Sequence, residues 1–300
     1  MMAVRTMEKL RGQLRYNEPL AKHTTWRVGG PARVFYVPSD VADLALFLSQ
    51  VAADEPLIWL GLGSNVLVRD GGVRGTVIAT SGALRGLSRL SNGVVRAEAG
   101  VACAKAAKFC AQLGLCGAEF FAGIPGTIGG ALAMNAGAFG GETWAVVAKV
   151  ETIDRKGVIR TRAPEDFSVG YRNVCGPKGE WFVAAHLQLP SGDAERAASQ
   201  IKDLLDRRNK SQPTGIATCG SVFRNPPGDF AGRLIEAASL KGYCMGGACV
   251  TEKHANFIAN TGAATALDIE QLINHIIATV QAHSGVVLEP EVHILGEAVP

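Results

Sequence analysis

Glycine falls in short, defined runs along this chain, and that placement narrows what the chain can fold into. The sequence has 36 glycines in 300 residues, against the roughly 7% of an average protein. The runs lie at 29–30, 61–63, 71–75, 123–130, 137–141 and 246–247. Glycine at such points serves turns that need positive φ, or backbone that must come close to a ligand. Apolar segments separate the runs, so they are not flexible linkers.

Those segments predict mixed strands and helices. Val34–Val37 reads as a strand ended by Pro38, and Asp40 then caps a helix carrying Leu44, Phe47 and Val51 on one face. Leu57–Leu60, Val66–Val68 and Thr76–Ala79 read as strands, the last two around a glycine-rich turn, and Gly93–Ala99 as another. Ala102–Leu113 reads as a helix stopped by Gly114. Residues 117–141 are too irregular for one long helix. Val147–Ile153 and Val158–Thr161 make a hairpin, and Trp181–Leu189 a strand. Beyond Ser191-Gly192-Asp193, helices are expected over Ser199–Asn209 and over Phe230–Leu240, the latter ended by Gly242. Thr265-x-x-Asp268 opens one more as a capping box. Gly285 ends that helix, and Val286–Leu288 and Val292–Leu295 finish as strand. The order is not the steady βα alternation of a doubly wound fold.

Composition excludes several classes. Formal net charge is +3 with 19% charged and 47% hydrophobic residues, which fits a folded domain rather than disorder or a nucleic-acid binder. No run of about 18 apolar residues suggests a membrane span, and the N-terminus lacks the apolar core of a signal peptide. Seven cysteines without a CxxC pair suggest reduced thiols acting as small core residues, not a disulfide framework or zinc site. No metal is expected.

Two loops carry chemistry. Gly61-Leu62-Gly63-Ser64-Asn65 follows a strand, where backbone N–H groups can approach a diphosphate and Ser64 and Asn65 can add hydrogen bonds. A tight hairpin turn reads equally well there. Gly123-Ile124-Pro125-Gly126-Thr127-Ile128-Gly129-Gly130 is the second, followed by Met134-Asn135-Ala136-Gly137-Ala138. Its small residues suit either a flat ring system or close helix packing.

Together with Thr25-x-x-x-Gly29-Gly30, Gly117-Ala118-Glu119, Tyr171-Arg172, Gln212-Pro213, Gly220-Ser221-x-Phe223-x-Asn225-Pro226, Leu234-Ile235-Glu236, Leu240-Lys241-Gly242, Gly246-Gly247-Ala248, Lys253-His254-Ala255-Asn256-Phe257 and Leu288-Glu289-x-Glu291-Val292, these loops form an ordered series from about residue 20 to 296. The series resembles the UDP-N-acetylenolpyruvylglucosamine reductase family. The stretch from Arg172 to Ser221 is short, so the resemblance is to the branch without an inserted tyrosine loop, and no tyrosine lid is expected. Thr24, Asn173, Thr251 and His293 depart from the family pattern.

The resemblance implies an α+β fold. A vanillyl-alcohol-oxidase-type FAD-binding domain over 1–190, in two lobes of roughly 1–80 and 81–190, would precede an α+β substrate domain over 191–300, with the last strand returning to the first lobe. It implies noncovalent FAD, NADPH as reductant, and the enolpyruvyl ether of UDP-N-acetylglucosamine as substrate. FAD would be held by Gly61, Gly63, Ser64, Asn65, Gly123, Ile124, Pro125, Gly126, Thr127, Gly129, Gly130, Asn135, Gly137 and Ala138. Substrate contacts would fall to Tyr171, Arg224, Asn225, Lys253 and His254.

Reducing an enol ether requires a hydride at one carbon and a proton at its neighbour. Arg172 suits the cation that stabilises developing enolate charge and Ser221 the proton donor, and Glu291 matches the family's C-terminal glutamate, which by resemblance polarises the enol system or holds the hydrogen-bond array. A monomeric cytoplasmic enzyme of peptidoglycan synthesis is expected, without nucleic-acid or membrane partners. The rival readings are an FAD-dependent oxidase of the same superfamily and a non-catalytic nucleotide-sugar-binding protein.

Overall fold

The computed structural model describes residues 9–299. Most of the N-terminal segment read above for a signal peptide, Met1–Glu8, lies outside the described residues. The chain forms two compact units, each assembled from discontinuous stretches. The first takes residues up to Tyr16, Val34–Gly61 and Gly75–Leu204, and the second takes Asn17–Arg33, Leu62–Arg74 and residues from Leu205 onward. The expected boundary at 190/191 falls inside the first unit. Two stretches of the expected first lobe fall in the second unit, because Trp26, Val28 and Leu67 are buried in that unit's core.

In the first unit, helix α1 (Val41–Gln50) begins where Asp40 accepts the N–H of Asp43, at 2.8 Å. Its Leu44, Phe47 and Leu48 recur at three and four residues and bury against Tyr36, Ile78, Leu84, Ile153 and Val183. A four-stranded sheet has the order Gln13–Pro19, Pro31–Val37, Val73–Ala79, Leu57–Leu60, its last pair parallel. A five-stranded antiparallel sheet has the order Ile159–Arg162, Val147–Asp154, Glu180–Leu187, Val95–Glu98, Leu87–Arg89. Helix α2 (Cys103–Gln112) stops before Gly114, whose φ is +65°. Residues 117–141 break into a 3-10 turn at Glu119–Gly123, the short helix α3 (Ile128–Met134), and a hairpin of Gly137–Ala138 with Gly141–Glu142. Helix α4 (Ala194–Ser211) starts five residues before the sequence predicts.

The second unit is built on a core of Trp26, Leu67, Val222, Phe223, Ile235, Ile269, Leu272, Ile276 and Val280, among others. Helix α5 (Ala231–Ala237) ends before the expected Leu240. The chain turns through Ser239 at φ +60°, and the Leu240 N–H closes on the Ile235 carbonyl in the manner of a Schellman end. Helix α6 (Ala266–Ser284) has the predicted capping box: Thr265 Oγ1 accepts from Asp268 N at 3.0 Å, and Asp268 accepts from Thr265 N at 2.9 Å. Asp70 supports the same end, its carboxylate accepting from the N–H groups of Ala266 and Leu267. Gly285 ends the helix at φ +75°. Val286–Leu288 is not strand; the chain runs irregularly there while Leu288 fills the core.

The final strand, His293–Leu295, lies parallel to Val66–Val68. Val66–Val68 is therefore not the hairpin partner of Thr76–Ala79; that strand pairs instead with Leu57–Leu60.

Cys244 and Cys249 are joined by a disulfide, which corrects the expectation of reduced thiols throughout. The cause is register. Cys244–Met245 and Ala248–Val250 form a hairpin around Gly246-Gly247, and the two cysteines stand directly opposite each other. The other five remain free, with Cys103, Cys110 and Cys219 buried. No described helix is long and apolar enough to cross a membrane.

Candidate active site

The first unit contains a cavity of about 260 Å³. Gly61, at the end of strand Leu57–Leu60, and Gly129-Gly130, in the first turn of α3, line it together with Trp59, Trp181 and Phe182. Two of these glycines are required by close packing, and the third leaves open backbone. A Cβ on Gly61 would come within 2.6 Å of Thr127 Oγ1, and one on Gly129 within 2.9 Å of the Ala99 Cβ. Gly130 has almost nothing against it, its nearest neighbour being Thr127 Oγ1 at 3.9 Å. Trp59 stacks on Trp181 with ring centroids 5.3 Å apart. Trp59 Nε1 and Thr127 Oγ1 are buried with no hydrogen-bond partner among the described residues. A buried donor and hydroxyl left unmade cost about 1–3 kcal/mol each, so both are suited to a ligand that supplies partners. Sequence reasoning missed Trp59 and Trp181, since an apolar strand residue reads as core.

Further along the second loop, the residues serve one another. A Cβ on Gly123 would strike the Phe139 ring. Asn135 ends α3 in the left-handed region, at φ +43°. Its amide is spent on protein partners, accepting from Trp144 N at 3.1 Å and donating to Glu142 at 3.0 Å and the Gly170 carbonyl at 3.3 Å. Arg172 is brought to this loop, donating to the Gly137 carbonyl at 3.1 Å and the Asn135 carbonyl at 3.4 Å. Its guanidinium also lies 5.1 Å from the ring centroid of Tyr171, which is half exposed. The backbone at Arg172 is left-handed, at φ +54°, a conformation uncommon for a non-glycine residue and found at functional sites.

In the second unit, Gly63 stands at φ +71°, where a Cβ would lie 2.0 Å from the His23 carbonyl. Only glycine fits. Asn65 Nδ2 donates to the Glu291 carbonyl at 3.1 Å, and the Asn65 carbonyl accepts from His293 N. Ser221 and Glu291 lie on adjacent antiparallel segments. Glu291 N donates to the Val222 carbonyl at 2.7 Å, and Arg224 N donates to the Glu289 carbonyl at 2.9 Å. Both residues are half-buried. Burial pushes the Cys219 thiol well above its usual range, and the nearby Glu291 charge adds to that rise.

Asn256 organises this segment, a role sequence reasoning did not give it. It is 3% exposed. Its Oδ1 accepts from Phe223 N at 2.9 Å, its Nδ2 donates to the Phe223 carbonyl at 2.8 Å, and its backbone carbonyl accepts from Val222 N. The motif Lys253-His254-Ala255-Asn256-Phe257 contained the only signal for it.

The expected substrate residues have protein partners of their own. Asn225 Oδ1 accepts from Ala231 N at the start of α5. Arg224 approaches Glu289 at 3.8 Å. Lys253 donates to the Asn209 carbonyl near the end of α4. His254 Nδ1 accepts from Asn256 N, its ring lies edge-on to Phe257, and burial lowers its pKa.

Comparison with known proteins agrees along the whole chain. Residues 212–295 match the profile of the UDP-N-acetylenolpyruvoylglucosamine reductase C-terminal domain, and residues 32–162 match an FAD binding domain. The chain is 61% identical to a UDP-N-acetylenolpyruvoylglucosamine reductase of Alkalilimnicola ehrlichii over 96% of both chains. It is 59% identical to one of Methylococcus capsulatus, over 99% of this chain and 97% of the other. The crystal structure of the UDP-N-acetylenolpyruvylglucosamine reductase of Thermus caldophilus matches with a TM-score of 0.78 at 32% identity, covering 95% of this chain and 99% of that one.

Proposed function

Because the chain belongs to the UDP-N-acetylenolpyruvoylglucosamine reductase family, a family of oxidoreductases, we propose that it reduces the enolpyruvyl ether of UDP-N-acetylglucosamine to UDP-N-acetylmuramate for peptidoglycan synthesis, with NADPH as reductant. The whole-length match to these reductases is the observation that carries this reading.

The first unit fits FAD on two counts. Gly130 leaves backbone open at the cavity, and Trp59 Nε1 and Thr127 Oγ1 need partners that a dinucleotide offers. When bound, FAD supplies hydride transfer between NADPH and the substrate carbon. The chain's own residues hold the rest of the chemistry. Arg172, steadied by the carbonyls of Gly137 and Asn135, offers positive charge to the enolate-like carboxylate that develops in the transition state. Ser221 Oγ donates the proton to the carbon beside that carboxylate. Glu291, tied to the Ser221 segment by its backbone, polarises the enol system. The second unit holds the UDP-sugar. Lys253, Arg224 and Tyr171 are the proposed substrate contacts, whereas His254 and Asn225 act mainly as scaffold.

Two measurements test the reading. The purified protein should show a noncovalent flavin spectrum, and NADPH should be consumed only when the enolpyruvyl substrate is present. A protein without flavin sinks the reading. Flavin with oxygen-dependent turnover of a small alcohol and no response to the UDP substrate replaces it with an oxidase.

A further inference from the structure

The hairpin of the second unit carries chemistry that the reductase reaction does not use. Cys244 and Cys249 face each other across it, with their Cα atoms 4.1 Å apart. Val250 N donates to the Tyr243 carbonyl at the next rung. The cysteines therefore occupy a non-hydrogen-bonded pair, the position where side chains of an antiparallel ladder come closest. Cys244 is exposed and Cys249 half-buried, so an attacking thiolate reaches the Cys244 sulfur from solvent. By contrast, burial pushes the Cys103 and Cys110 thiols up to about 12, which leaves them unreactive.

We propose that Cys244 and Cys249 form a dithiol–disulfide exchange site that responds to low-molecular-weight thiols and disulfides of the glutathione class. In reduction, a thiolate attacks the Cys244 sulfur and releases the Cys249 thiolate, which takes up a proton. A second thiol resolves the mixed disulfide, so two thiols become one disulfide and both cysteines become thiols. Oxidation by a small disulfide runs the reverse. The hairpin leads through Val250 directly into Thr251–His254, where Thr251 Oγ1 donates to the His254 carbonyl at 2.8 Å. Locking its register stiffens that turn. An effect on substrate follows from the assignment of Lys253 above and rests on it.

The test takes the holoenzyme after oxidised glutathione and after dithiothreitol, with Cys244→Ser and Cys249→Ala beside it. Alkylation and mass spectrometry should find Cys244 and Cys249 joined to each other in the first state and labelled in the second, with the lone exposed Cys175 labelled in the second and carrying at most a mixed disulfide with glutathione in the first. The oxidised form should melt about 3 °C higher, and its KM for the UDP substrate should be several-fold lower at unchanged kcat and flavin content. Neither variant should respond. Absence of the disulfide after oxidation overturns the proposal. So does a disulfide that changes neither Tm nor KM, or a response that persists in the variants. Loss of flavin or of turnover with the UDP substrate in both states would instead sink the assigned function, and the labelling and melting would still judge the site.

Discussion

Asn256→Ala should unfold the protein far more easily than the loss of one small polar side chain suggests. Asn256 satisfies both backbone groups of Phe223, and Phe223 is 1% exposed. Truncation strands a buried N–H and a buried carbonyl. Each unmade group costs about 1–3 kcal/mol, so the change should cost about 2–6 kcal/mol in total. With a urea m-value of about 3 kcal/mol/M for a chain of this size, the midpoint should fall by roughly 1–2 M. Equilibrium unfolding followed by far-UV circular dichroism measures it, with the m-value checked for constancy. The same segment carries Ser221, so kcat should fall as well, while the flavin spectrum stays intact because the cavity lies in the other unit. A midpoint shift worth less than about 1 kcal/mol would refute the reasoning. It would mean that Phe223 finds other partners and that Asn256 does not organise the segment.

Other outcomes follow from the same geometry. Ser221→Ala should leave reduction of the flavin by NADPH unchanged and slow its reoxidation by substrate about 10²–10⁴-fold; stopped-flow absorbance separates the two, and equal losses would remove Ser221 from the proton-donor role. Trp59→Phe keeps an aromatic ring and deletes the partnerless donor, so FAD should bind roughly tenfold more weakly, the value of about one hydrogen bond; titration by flavin fluorescence reads this, and unchanged affinity would place Nε1 away from the cofactor. Glu151 is held down to about 2, first by its hydrogen bonds from Arg96, then by His186. Its folded pKa lies below its unfolded one, so the stability it supplies is present above about pH 4.5 and lost as pH falls towards 2. Glu151→Gln should flatten thermal stability across that window in a pH series of melting curves, and an unaltered profile would contradict it.

What could be read from sequence divides along the distance between partners. The cap at Asp40 and the box at Thr265 and Asp268 act within four residues, so their side chains announce themselves. The disulfide spacing of five means nothing until Gly246-Gly247 sets a two-residue turn and brings the cysteines opposite. Trp59 looks like one more apolar strand residue; its partnerless nitrogen appears only once the second glycine loop closes beside the first. Asn135 was legible as part of a loop motif, but its amide is committed to Trp144, Glu142 and Gly170, the last of these 35 residues away. The unit boundaries were hidden for the same reason, since Trp26 belongs by burial with residues more than two hundred positions later. The family, by contrast, was legible because an ordered series of short motifs survives even where no single one is informative.

The strand at His293–Leu295 has a consequence for the newborn chain. It pairs with Val66–Val68 only after more than two hundred further residues have been made. Trp26 likewise waits for the Ile258 carbonyl, 232 residues on, to accept its indole N–H. Contacts of such long sequence separation form slowly, after the entropy of loop closure has been met. Residues 17–33 and 62–74 are therefore made well before the residues from Leu205 onward that bury them. Trp26, Val28 and Leu67 are without those core partners during that interval.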